Sequence, residues 1–150
     1  MSHTLLAPDV VHGFMAVVIR CLRATLDVDA VVAAVGEPHS IPSIAVALDL
    51  GGDLRGPVTW LFPPEIALEL VRRLMADPHP PVDSAQDGAT ELANILTGQA
   101  SEVLEANGFR CEIGVPRIHI GALPPGLNVR MTTTAGPIDV VLSLTSGTAS

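Results

Sequence analysis

The stretch SAQDGATELANILTGQASEVLEA, Ser84 to Ala106, decides how the whole chain is read. Projected at about 100° per residue, Ala85, Ala89, Leu92, Leu96, Ala100, Val103 and Leu104 fall on one apolar stripe. The segment is therefore expected to form an amphipathic helix about 35 Å long with that stripe against a sheet. Ser84 is a candidate N-cap, and Asn107-Gly108 supplies the stop. Asp87, Glu91, Asn94, Gly98, Ser101 and Glu105 occupy the opposite stripe and point away from the core.

Working outward, Pro8 opens an earlier amphipathic helix that reaches about Leu26. Short Val-rich runs bounded by Gly and Pro then read as strands: Ala30–Val35, Ile44–Leu50 and Val58–Phe62, with a hairpin at Gly51-Gly52-Asp53. Pro63-Pro64-Glu65 opens a second helix, which carries Ile66, Leu70 and Val71 and closes on Arg72 and Arg73 before the Pro-rich linker Asp77–Val82. After the long helix come Phe109–Val115, continuing through Ile118 to Ile120, then Asn128–Thr134 and Ile138–Leu144, with Ala135-Gly136-Pro137 as a turn.

Tight turns between consecutive strands imply antiparallel pairing. The expected fold is α+β: one antiparallel or mixed six-stranded sheet with helices packed on one face, in a single domain spanning residues 1–150. The three-strand pattern occurs twice, which hints at an internal duplication.

With 150 residues, 48% of them hydrophobic, the chain can bury one sizeable core. A net charge of −8 with only eight basic residues argues against nucleic acid and acidic lipid as partners, and favours a partner with a basic face. No apolar run approaches the roughly 18 residues of a membrane span. Cys21 and Cys111 lack metal-ligand spacing, so a cytoplasmic protein with reduced, buried thiols is expected.

Two residues of the outer stripe are poor helix choices. Asn94 competes with the backbone in mid-helix, and an exposed Gly98 costs about 1 kcal/mol relative to Ala. Gly98 also removes bulk one turn beyond Asn94, so another protein's backbone could approach closely. Glu91 and Asn94, three apart, stand side by side and present a carboxylate and a carboxamide together.

The run from Asp87 through Glu91 and Asn94 to Gly98 resembles the signature of the CheC/CheX/FliY phosphatases of bacterial chemotaxis, with Val115-Pro116 similar to the family's strand-to-loop proline. The order of elements is similar to CheX over essentially the whole chain. The resemblance implies hydrolysis of the aspartyl phosphate of a response-regulator receiver domain, with Asn94 holding water in line with phosphorus and Glu91 pairing with a partner Lys. Asp87, Gly98 and Ser101 would then contact the partner. It implies no cofactor on this chain, Mg²⁺ on the partner, and a homodimer formed through the sheets. The first helix shows His12, Gly13 and Met15 without a Glu-x-x-Asn, so one site per chain is expected. The alternative is a non-catalytic scaffold that binds a receiver domain or motor-switch component through the same face. A third reading has this face packed against a twin chain.

The remaining candidates have plainer readings. Ser84 with Asp87 fits a capping-box-like helix start. His3, His12, His39, His79 and His119 share no metal-ligand spacing. Asp53, Asp77 and Asp139 fall at turns or exposed strand positions, and Trp60 belongs to the core or a dimer interface.

Overall fold

Val58, Trp60 and Phe62 point to one side of a strand and Thr59 and Leu61 to the other, and all five are buried. The sheet is thus covered over both faces at its centre. A computed structural model describes residues 7–36, 43–76, 79–81 and 83–146. His3, His39, Asp77 and part of the Asp77–Val82 linker lie outside them.

The elements are α1 (Pro8–Leu26), β1 (Ala30–Gly36), β2 (Ile44–Gly52), β3 (Leu54–Phe62), α2 (Pro64–Met75), α3 (Ser84–Ala106), β4 (Cys111–Ile113), β5 (Arg117–Ile118), β6 (Leu127–Thr133), β7 (Gly136–Leu142) and β8 (Thr145–Ser146). The strands run β1-β6-β7-β3-β2-β4, with β5 also on β2 and β8 on β3, and every pairing is antiparallel. The six-strand path agrees with the α+β expectation. The two halves interleave: β3 and β7 meet at the centre, and each half's first strand flanks the other half.

The strand expected from Phe109 onward is two short ones, because Val115 and Pro116 leave the ladder and proline has no N–H to give it. The turn between β6 and β7 is Thr134-Ala135 rather than Ala135-Gly136-Pro137. Thr133 Oγ1 accepts the N–H groups of Ala135 and Gly136, both at 3.0 Å, and thereby fixes the turn. Ser84 is not the N-cap. Asp83 precedes the helix without a side-chain cap, and the Ser84 hydroxyl donates back to Pro81 O at 2.6 Å. Asn107-Gly108 does stop α3: Gly108 N–H reaches Glu105 O, Phe109 N–H reaches Leu104 O, and Gly108 takes the left-handed φ that this closure needs.

Asp139 is fully buried, not at an exposed strand position. Arg130, its β6 neighbour, grips both carboxylate oxygens at 2.8 and 3.0 Å, so the charge enters the interior with its counter-ion. Leu61, Ala45 and Val141 share this far face under Leu123, whereas Val58, Trp60 and Phe62 join the helix-side core. Trp60 is core. Cys21 and Cys111 are free and half-buried, and burial raises the Cys111 thiol above its ordinary pKa.

In the helix layer α3 packs between α1 and α2. A Cβ on Gly13 would lie 2.9 Å from Val103 Cγ1, so Val103 faces α1 and stays half-buried instead of reaching the sheet. A Cβ on Gly88 would overlap Val71 Cγ2. Val71 is buried and stiff at χ1, so it has nowhere to turn. Arg73 of α2 donates to Leu26 O at 3.3 Å and Asp27 O at 2.9 Å, closing the C-terminus of α1.

Gly88→Ala should lower stability by roughly 1–3 kcal/mol through overpacking, read as a reduced urea midpoint at unchanged slope. Hydrogen bonds from Arg72 and Arg73 hold Glu69 down to about 2, from an ordinary 4.5. A depressed carboxylate stabilises the fold above its unfolded value, and the stabilisation is lost as pH falls through the folded one. Glu69→Gln should therefore lower stability at neutral pH and flatten its decline between pH 4.5 and about 2.

Candidate functional site

Burial along α3 follows the helical period. Ala85, Ala89, Leu92, Ala93, Leu96, Thr97, Ala100 and Leu104 are inside. Asp87, Glu91, Asn94 and Glu105 are exposed, with Gly98 and Ser101 half-buried between them. All six outer residues thus share one outward stripe. Glu91 and Asn94 lie one turn apart, with about 5–6 Å between Cβ atoms. Neither makes a side-chain hydrogen bond among the described residues. Both are directed at solvent from a helix whose opposite side is locked in the core.

Gly98 has open space around it: a Cβ there would meet nothing within 4 Å. Its own fold therefore does not require a glycine, in contrast to Gly88. Ser101 donates to Gly98 O at 2.7 Å, which occupies its hydroxyl proton within the helix and leaves its lone pairs outward. Asp87 lies in the first turn, where an acid suits the helix dipole. It is not paired with Ser84 in a capping box, since that hydroxyl is turned to Pro81.

Every charged side chain of α3 itself is acidic. Asp87, Glu91, Glu102 and Glu105 all belong to α3, and Ser84 to Ala106 contains no Lys or Arg. Glu102 and Glu105 sit near the helix C-terminus, where anions are disfavoured, and no basic residue offsets them in the last turn. That local cost was readable in the sequence as a further sign that the stripe serves something other than the helix. It suits a cationic surface arriving from outside.

Thr97 is a member of the site's support that the sequence reading passed over. It is buried on the inner face, accepts the Trp60 indole N–H at 2.9 Å and donates to Ala93 O at 2.7 Å. A lone hydroxyl inside an apolar helix stripe was the available signal.

Elsewhere the candidates stay separate. His119 Nε2 lies 2.7 Å from Ala122 O, and Asp53 accepts the Arg110 N–H at 2.8 Å. Among the described residues no group of three or more His, Cys, Asp or Glu is placed to hold a metal ion. No helix there is long and apolar enough to cross a membrane.

The family model described as chemotaxis phosphatase CheX matches residues 44–129, more than half of the chain. Solved structures share the fold at low identity. A CheX from Desulfovibrio desulfuricans superposes with a TM-score of 0.76 at 15% identity, covering 91% of this chain and 99% of that one. The CheX chain of a CheX-CheY-BeF3-Mg²⁺ complex from Borrelia burgdorferi gives 0.72 at 20%, covering 93% and 100%. FliY from Thermotoga maritima gives 0.69 at 15%, covering 96% and 93%. Among curated proteins none matches the sequence.

Because neither Asn94 nor Gly98 makes a side-chain contact that holds the fold, replacing these poor helix formers should strengthen the helix. Asn94→Ala should raise stability by about 0.5 kcal/mol and Gly98→Ala by about 1 kcal/mol, measured by chemical denaturation.

Proposed function

As a member of the CheX family of chemotaxis phosphatases, this chain, we propose, hydrolyses the aspartyl phosphate of a CheY-like receiver domain, using Asn94 and Glu91 on α3. The observation that carries this reading is the outward pairing of that carboxamide and carboxylate on a helix face left free of other structural duty. The partnership with CheY in the Borrelia complex supports a receiver as the substrate.

The chemistry is modest in its demands. An acyl phosphate already has a good leaving group, so hydrolysis needs an oriented water and neutralised charge more than a strong base. Asn94 accepts and donates hydrogen bonds and so can hold a water in line with the phosphorus. The water oxygen bonds to phosphorus, the phosphorus–acyl oxygen bond breaks, and the aspartate leaves as carboxylate while the water's proton passes to phosphate or solvent. Glu91 docks on a receiver lysine and fixes the approach, while the receiver carries the Mg²⁺ and holds the phosphoryl oxygens. Gly98 lets the receiver backbone close down on α3, and Asp87 and Ser101 border the contact. Such a substrate would support a cytoplasmic location.

The chain is further proposed to pair with a second copy through its sheet. Edge strand β1 supports this, since it exposes Val31, Val32 and Val35.

Mixing this chain at a twentieth of the concentration of phosphorylated receiver should accelerate loss of phosphate over many turnovers. Asn94→Ala should lower that rate by ~10² while the protein stays folded. A folded mutant of undiminished rate rules out the mechanism, and acceleration that stops at one equivalent identifies a scaffold.

A further inference from the structure

Trp60 is the only tryptophan of the chain and is fully buried in β3. Its ring stacks with Phe14 of α1 and with Phe62 of its own strand, each at a centroid distance of 6.4 Å. Held in this way, the indole N–H donates to Thr97 Oγ1 at 2.9 Å, and the Thr97 hydroxyl donates onward to Ala93 O at 2.7 Å. The Ala93 carbonyl belongs to the same peptide unit as the N–H of Asn94. Two hydrogen bonds therefore connect the immobile centre of the sheet to the backbone of the residue that carries the reactive carboxamide.

Packing alone does not call for this arrangement. Valine would fill the space of Thr97, and phenylalanine much of the space of Trp60, in an otherwise apolar interior. What the polar pair adds is direction. Apolar contacts tolerate a small rotation or slide of a helix over a sheet, whereas a hydrogen bond weakens steeply when its angle is lost. A hydroxyl that bonds back to the carbonyl four residues earlier can also adjust the local course of its helix. Asn94 stands in the turn that this bond spans.

We infer that Thr97 and Trp60 are positioning residues for the phosphatase reaction, clamping the Ala93–Asn94 peptide so that the Asn94 carboxamide meets the attacking water in line. This rests on the reading of Asn94 as the water-holding group. Neither residue touches the substrate, so the clamp should act on the rate of the chemical step and not on docking.

The test compares Thr97→Val, Thr97→Ser, Trp60→Phe and Asn94→Ala in dephosphorylation of a receiver, alongside amide hydrogen exchange across α3. A displacement near 1 Å can cost up to ~10² in rate. Thr97→Val should lower kcat about tenfold with KM within about twofold of wild type, and Thr97→Ser, which keeps the hydroxyl, should recover most of the loss. Amides from Asn94 to Gly98 should exchange about tenfold faster in Thr97→Val, while those of α2 are unchanged. Trp60→Phe should shift both readouts in the same direction, and it serves in place of Thr97→Val if that variant does not fold. A folded Thr97→Val with wild-type kcat and wild-type exchange overturns the clamp, and so does a Thr97→Ser as impaired as Thr97→Val. Full activity in Asn94→Ala removes the water-holding role instead. The exchange data then decide the clamp alone: unchanged protection at Asn94–Gly98 overturns it, and local loss of protection sustains it.

Discussion

Rotation of α3 about its own axis is the freedom this fold has to suppress, because it alone would change where the exposed Glu91 carboxylate and Asn94 carboxamide point. Its inner stripe is held from three directions: the sheet below, α1 where Gly13 admits Val103, and α2 where Gly88 admits Val71. Apolar burial supplies the energy of that grip, at roughly 25 cal/mol per Å². Two glycines supply the closeness, and the Trp60–Thr97 bond supplies the angle. With the inside fixed, the helix tolerates Asn94 and Gly98 on its outside against helix propensity.

Much of this was legible in the sequence. The bounds of α1 and α3 and the outward set on α3 follow from a long, strongly periodic pattern, which is the most dependable signal a chain offers. Glu91 and Asn94 emerge because one projection places them opposite Leu92 and Leu96. The strands were harder. Period two tells which residues share a face, but not which face is covered, so Asp139 read as exposed when it is fully buried and paired with a half-buried Arg130. Leu123, which covers part of that face, sits in an irregular segment without periodicity.

Other features were illegible for a different reason. Gly88 and Gly98 sit on the same helix and look alike in sequence, yet one is required by a neighbour and the other faces open space. Only the third dimension separates them. The break between β4 and β5 turns on a missing N–H at Pro116, whose effect depends on which strand it would have paired with. Likewise Thr97 acquires meaning only through Trp60, 37 positions earlier in the chain.

The solitary indole at the centre of this structure has one more consequence. Since the chain has no tyrosine, its near-ultraviolet emission comes almost wholly from Trp60, a ring that no docking protein can touch. With a partner that itself lacks tryptophan and tyrosine, a change in colour or brightness would report strain carried inward rather than contact with the ring, so the molecule has an optical gauge at its centre.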